Sequence, residues 1–153
     1  MLRAPFVMKG YTDPAIEAFL PGRWLRTRDV GRFDEEGYLT LVDRTSDMIV
    51  TGGYNVYPRE VEDVLSAHPA VAQVAVVGLP DDVWGESVTA FAVLREDGAG
   101  DEAALIAFAR DHLAAYKAPK SVRFVPSIPL SAVGKPLRRA LREPFWAGRE
   151  RRI

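Results

Sequence analysis

Four short stretches of the chain hold residue types that can do chemistry. Lys135 follows Gly134 in PLSAVGK (129–135), a polar loop. A lysine is a compact cation able to neutralise negative charge that builds up in a reaction; a solvated surface lysine has the same spelling. Asp29 closes RTRD (26–29) just ahead of a strand-like run. A carboxylate placed so can accept two hydrogen bonds from a vicinal diol such as a ribose, or simply cap a turn. Arg44, after Asp43 at a strand end, suits a sugar hydroxyl or a phosphate, and equally a surface salt bridge. Gly52-Gly53, followed by Tyr54, can take φ > 0 and suits a tight hairpin tip. Without side chains such a tip can lie flat against a ligand with its N–H groups exposed.

Other chemistries find little support. His68 and His112 each sit on a helical segment with no carboxylate or second histidine at ligand spacing, so no metal site is expected. Asp81-Asp82 and Glu35-Glu36 flank turns and read as solvated turn residues. No nucleophile elbow supports a Ser-His-Asp hydrolase. Gly134-Lys135 lacks the upstream glycine spacing and following Ser/Thr of a Walker loop. The chain has no cysteine, which excludes disulfides and thiolate catalysis and fits a reducing compartment. No apolar run approaches the roughly 20 residues of a membrane span, and MLRAPFVMKG has no apolar core of signal-peptide length. A cytoplasmic location is therefore expected. Net charge is −1, so nucleic acid has no general attraction for the chain. The charge is uneven: Lys135, Arg138, Arg139, Arg142, Arg149, Arg151 and Arg152 crowd the C-terminal end against Glu143 and Glu150. That end reads as a solvated basic tail or as an attractor for a phosphorylated ligand.

The elements that must position these residues are legible in outline. In 153 residues, 48% hydrophobic and 27% charged, there is room for one domain, or one domain with part of another. Residues 1–28 are irregular, with one helical turn expected over Ala15–Leu20, and their apolar residues suggest packing on something else. Val30–Asp34 and Tyr38–Asp43 read as strands joined by Glu35-Glu36-Gly37. Pro58 opens a helix running to His68, with Val61, Val64 and Leu65 on one face and Glu60 and Glu62 near its start. Val71–Val77, closed by Gly78 and Pro80, reads as a buried strand, and Ser87–Leu94 as another. Gly98–Asp101 is a loop in which Asp101 caps a helix over Glu102–Ala115; Ser121–Val125 is a short strand, and Gly134–Arg142 a last helical turn or two. The order predicts an α+β fold: a small β-sheet packed with helices, preceded by a β-hairpin segment.

In order and spacing the four stretches resemble the adenylate-forming ligases: acyl-CoA synthetases, aryl-CoA ligases, luciferase and peptide-synthetase adenylation domains. WLRTRDVGRFDEEGYLTLVDR is similar to the ribose-binding aspartate region up to the interdomain hinge, and LRAPFVMKGYTDP to the segment before it. TGGYNVYPREVEDVLSAHPAVAQVAVVGLPDDVWGE resembles the hairpin, helix and strand of the mobile C-terminal lid. YKAPKSVRFVPSIPLSAVGKPLRRALR resembles the lid's closing segment with its lysine. The resemblance implies that residues 1–44 end the large N-terminal domain and 45–153 form the lid. It implies a reaction in which ATP and a carboxylate give an acyl-adenylate and pyrophosphate, and CoA then displaces AMP. By matching positions, Asp29 and Arg44 would bind the nucleotide of ATP or AMP, and Lys135 would act in adenylation. Gly52, Gly53 and Tyr54 would then line the tunnel for the pantetheine arm of CoA. Mg would come with the nucleotide and not be held by this chain. The spelling of GGYNVYP and PLSAVGK is closest to fatty-acid ligases, so the substrate implied is a carboxylic acid of that class.

Three positions depart from the family. Arg28 stands where it has glycine, with the expectation that the side chain disturbs Asp29 or crowds the nucleotide; Ser46 takes the hinge position, usually lysine or aspartate; and Trp84 stands where some relatives carry a basic CoA contact. The partner implied is the N-terminal adenylation domain, without which the chain is expected to be inactive, its apolar N-terminal residues disordered or buried in a homodimer. A stand-alone, non-catalytic module binding CoA, an acyl carrier or a partner chain is the alternative.

Overall fold

In the computed structural model of the chain the described residues are 1–13, 15–96, 98 and 100–149. The chain divides into two compact units, Met1–Thr45 and Ser46–Ile153.

The first unit is two small antiparallel ribbons. β1 (Phe19–Leu20) pairs with β2 (Trp24–Leu25) across Pro21-Gly22-Arg23. Gly22 and Arg23 both take positive φ, 75° and 59°. The helical turn expected over Ala15–Leu20 is absent, and its last two residues are strand instead. Pro21 disfavours helical backbone at Leu20, and the turn that follows sends the chain back on itself. β3 (Asp29–Phe33) pairs with β4 (Leu39–Arg44) through a bulge at Val30/Gly31. Asp34 closes the turn by accepting the Tyr38 N–H at 2.7 Å, and Gly37 sits at φ 84°.

The second unit holds a five-stranded sheet. β5 (Ile49–Thr51) and β6 (Tyr54–Val56) form a hairpin whose tip, Gly52-Gly53, takes φ of 55° and 82°. Two successive left-handed residues match the twist of a two-residue hairpin, which is why two glycines are needed. α1 (Pro58–Ser66) follows, then β7 (Val71–Asp81), β8 (Gly85–Leu94), α2 (Glu102–His112), β9 (Ser121–Phe124) and α3 (Arg138–Arg142), which runs into a 3₁₀ turn at Glu143–Phe145. Strand order is β6-β5-β8-β7, and β9 joins β8 in parallel at Thr89↔Ser121. Alternation along β7 and β8 builds two cores on opposite sheet faces. Val71, Val76, Val88, Ala90 and Ala92 meet Val61 and Leu65 of α1 and Leu105 and Ala109 of α2. Ala75, Val77, Leu79 and Phe91 meet Ile128 and Leu141, with Phe145 packed against them.

Strand β7 does not stop at Val77 but runs through Gly78 and Pro80 to Asp81. Gly78 is an ordinary strand residue opposite Val88; its missing Cβ leaves the space occupied by the buried Glu86 carboxylate. The glycine that looked like a stop is a packing requirement. Helix α2 ends earlier than expected, at His112, because Leu113 turns to extended backbone at φ −125°. Asp101 does cap it, accepting the Ala104 N–H at 2.7 Å. Part of the expected 98–101 loop, Ala99, lies outside the described residues, as do Glu150, Arg151 and Arg152 of the basic end.

Candidate functional site

In the first unit, Asp29 opens β3 and Arg44 closes β4, and the antiparallel register sets them opposite each other. Their side chains form an ion pair, Nε to Oδ1 3.4 Å, with Arg44 the more exposed at 66% against 29%. One carboxylate and one guanidinium thus share one end of the ribbon. Arg28, just before them, sits at φ 61° in the left-handed region, and its carbonyl accepts from both the N–H and the hydroxyl of Thr45 at 2.9 Å. The chain must turn through left-handed backbone here, which is the physical reason a glycine suits the position. Arg28 adopts the same backbone at a strain cost and points its side chain to solvent.

In the second unit the glycine tip is exposed, and Tyr54 beside it is 56% exposed. The tip is held from two sides. The Gly52 N–H donates to the Trp84 carbonyl at 2.9 Å, and the Trp84 ring lies so close that a Cβ on Gly52 would meet its Cε3 at 2.6 Å. Tyr54 stacks on Tyr116 with ring centroids 4.6 Å apart. Lys120 places Nζ 5.7 Å from the centre of the Trp84 ring, and Lys117 donates to Glu60 on α1 at 2.5 Å. That hydrogen bond, helped by the Glu60 charge and opposed by partial burial, raises the Lys117 ammonium above its ordinary 10.5. The Trp84 indole therefore borders Gly52, with the Lys120 ammonium over its ring, and the Tyr54–Tyr116 stack stands beside the tip. The sequence reading placed Gly52, Gly53 and Tyr54 there and noted Trp84 at a CoA-contact position, but not Tyr116, Lys117 or Lys120. The signal for the others was the cluster Tyr-Lys-Ala-Pro-Lys at 116–120, with an aromatic ring and two cations just before a strand.

Lys135 lies in a different loop of the same unit. Ser131 and Lys135 close it reciprocally: the Ser131 N–H donates to the Lys135 carbonyl at 2.8 Å, and the Lys135 N–H to the Ser131 hydroxyl at 3.1 Å. Gly134 makes the turn at φ 76°. The Lys135 side chain is exposed, and among the described residues its ammonium has no hydrogen-bond or ion-pair partner.

Of the described basic residues at this end, Lys135, Arg139 and Arg149 are exposed, whereas Arg138 and Arg142 are drawn into the unit. Arg138 binds Glu62 and Asp47, Arg142 lies 3.7 Å from Asp47, Arg139 pairs with Glu143 and Arg149 with Asp82. Packing uses the Arg138 and Arg142 charges within the unit, which a count along the sequence does not show. His68 and His112 both pack on Phe108, at 5.0 and 4.5 Å between ring centroids. Among the described residues no group of three or more His, Cys, Asp or Glu gathers as a metal centre, and no helix is long and apolar enough to cross a membrane.

Residues 60–135 match the family described as AMP-binding enzyme C-terminal domain. Over 159 aligned residues the chain is 49% identical to a medium/long-chain-fatty-acid–CoA ligase of Mycobacterium tuberculosis. The chain belongs to the family of AMP-binding enzyme C-terminal domains. It is also 48% identical to a long-chain-fatty-acid–CoA ligase of Bacillus subtilis. These two alignments take in 97% and 94% of the chain but only 28% and 26% of the relatives' length. Among solved structures, ATP-bound MatB from Rhodopseudomonas palustris matches the chain with a TM-score of 0.87 and 36% identity, over 94% of the chain and 29% of MatB. The amide bond synthetase McbA from Marinactinospora thermotolerans matches with a TM-score of 0.83 and 48% identity, over 94% of the chain and 30% of McbA.

Proposed function

We propose that the chain is the C-terminal portion of an ATP-dependent fatty-acid–CoA ligase. In this reading residues 1–44 end the adenylation domain, the chain from 45 is the swinging lid, and the turn lies near Ser46. The observation that carries it is that Lys135 and the Gly52–Tyr54 tip are both exposed, on separate loops of one compact unit. One body can then present a cation in one orientation and a glycine edge in another.

In the first half-reaction a carboxylate oxygen attacks the α-phosphorus of ATP and pyrophosphate leaves. Negative charge gathers at the phosphoryl oxygens, and Lys135, with no counter-ion among the described residues, is suited to stabilise it there. Asp29 accepts the ribose hydroxyls while Arg44, its ion-pair partner, reaches the nucleotide. In the second half-reaction the CoA thiol attacks the acyl carbonyl and AMP leaves. Gly52 and Gly53 let the pantetheine arm pass close to backbone, holding the thiol in line. The Trp84 ring offers a face for the base of CoA, and Lys120 an ammonium for its phosphates. A cation near this position, absent from residue 84 itself, is supplied by another element.

The test is to join the chain to the large domain of a MatB-type relative and measure the half-reactions separately. Lys135→Ala is expected to lower ATP–pyrophosphate exchange by roughly 10²–10³-fold while sparing thiolysis of a supplied acyl-adenylate. A bulky Gly53→Leu is expected to do the reverse. If both variants impair both steps equally, the two-face reading fails. An amine acceptor that works as well as CoA would replace the thiol in this scheme.

A further inference from the structure

Arg138 stands three residues after Lys135, at the start of α3, and it is the most heavily engaged basic residue among those described near that loop. Its Nε and Nη2 grip both oxygens of Glu62, at 3.0 and 2.6 Å, and its Nη1 reaches Asp47 Oδ2 at 3.3 Å. Glu62 is fixed in turn, accepting the Val76 N–H of β7 at 2.8 Å. Asp47 also lies near Arg142, which donates to the Ser46 carbonyl at 3.2 Å. The three side chains are largely sequestered, 17% exposed for Arg138, 12% for Glu62 and 21% for Asp47. A two-pronged guanidinium–carboxylate pair has a fixed geometry that a single ammonium cannot reproduce.

The loop that carries Lys135 is tied mostly to itself: Ser131 to Lys135, the Leu137 N–H to the Pro129 carbonyl at 2.8 Å, and a bridge between Leu130 and Pro136. Those contacts set its shape but not its place on the unit. The glycine hairpin, by contrast, is seated by sheet pairing, by Trp84 and by the Tyr54–Tyr116 stack. We infer that Arg138 is a positioning residue for adenylation, fixing the Lys135 loop against α1 and against Asp47 beside the turn between units. The inference rests on the role given above to Lys135. It predicts an asymmetry: loosening Arg138 displaces the lysine and leaves the hairpin where it is.

The first measurement is amide hydrogen exchange on the full chain. Arg138→Ala is expected to speed exchange at Gly134, Lys135 and Leu137 by about tenfold or more, with the amides of Thr51, Gly52 and Tyr54 unchanged. Unchanged loop exchange, or a uniform rise across the unit, would overturn it. The second uses the joined enzyme. There Arg138→Ala is expected to lower kcat of pyrophosphate exchange about tenfold or more at unaltered KM for ATP, with thiolysis of supplied acyl-adenylate retained. Arg138→Lys should recover part of it. Should Arg138→Ala not fold, Glu62→Gln and Asp47→Asn remove the partners one at a time and must show the same split. A loosened loop with full adenylation refutes the positioning role. An unimpaired Lys135→Ala control refutes the role of the lysine itself, so the two failures are told apart.

Discussion

Gly52 shows how much a single position can be constrained by two independent demands. Its φ of 55° belongs to the region that side chains disfavour, and the Trp84 ring fills the place of a Cβ. Gly52→Ala is therefore expected to destabilise the second unit by about 1–3 kcal/mol, measured by denaturant unfolding, and to shift tryptophan fluorescence as Trp84 moves. Arg28 is the converse case, a side chain placed at φ 61° where glycine costs less. Arg28→Gly is expected to leave the fold of the first unit intact and its stability unchanged or up to about 1 kcal/mol higher. Lys117 gives a pH dependence. Its ammonium is raised above 10.5 by the hydrogen bond to Glu60. A raised group contributes stability that is fully present below its unfolded value and is lost as pH climbs through the folded one. The wild-type chain should thus lose stability above about pH 10.5 relative to Lys117→Met, as read from unfolding midpoints across an alkaline series.

At the level of elements, periodicity and caps were legible where the local signal was also the tertiary one. Pro58 does start α1, Asp101 does cap α2, and Gly52-Gly53 does turn the hairpin. Asp101→Ala is expected to cost about 1 kcal/mol, since the Ala104 N–H loses its acceptor. The misreadings share one cause. Gly78 and Pro80 carry local stop signals, but β7 continues because β8 pairs with it as far as Asp81↔Gly85. Ala15–Leu20 looked helical in isolation, but Leu20 pairs with Trp24 once the Pro21–Arg23 turn folds back. Ladder hydrogen bonds to a distant strand outweigh local propensity, and no window of sequence contains them.

At the scale of the molecule, the chain spans 26–28% of its fatty-acid–CoA ligase relatives. Each proposed role needs surfaces outside that span to close upon. The chain alone is accordingly expected to release no pyrophosphate from ATP with any of a range of fatty acids. Adding the large domain of a relative, covalently joined, should restore it. Release by the isolated chain would show that Lys135 and Asp29 suffice by themselves and would refute the lid reading. The β3–β4 ribbon leaves Phe33, Tyr38, Leu39 and Leu41 more than half exposed, which is the surface expected to be covered in the joined enzyme and to show reduced exchange there.

Composition and spacing by themselves determined the class of fold, the hairpin-to-helix motif and which four stretches hold residue types able to do chemistry, because each depends on residues close together in the chain. Only the tertiary structure decided what surrounds them. It joined Asp29 to Arg44, set Trp84 over Gly52 with Lys120 beside it, and drew Arg138 from the basic end into a clamp with Glu62 and Asp47. Those pairings span from 15 to 91 positions of sequence, and at such separations only the packing of strands and helices chooses which charges and rings meet.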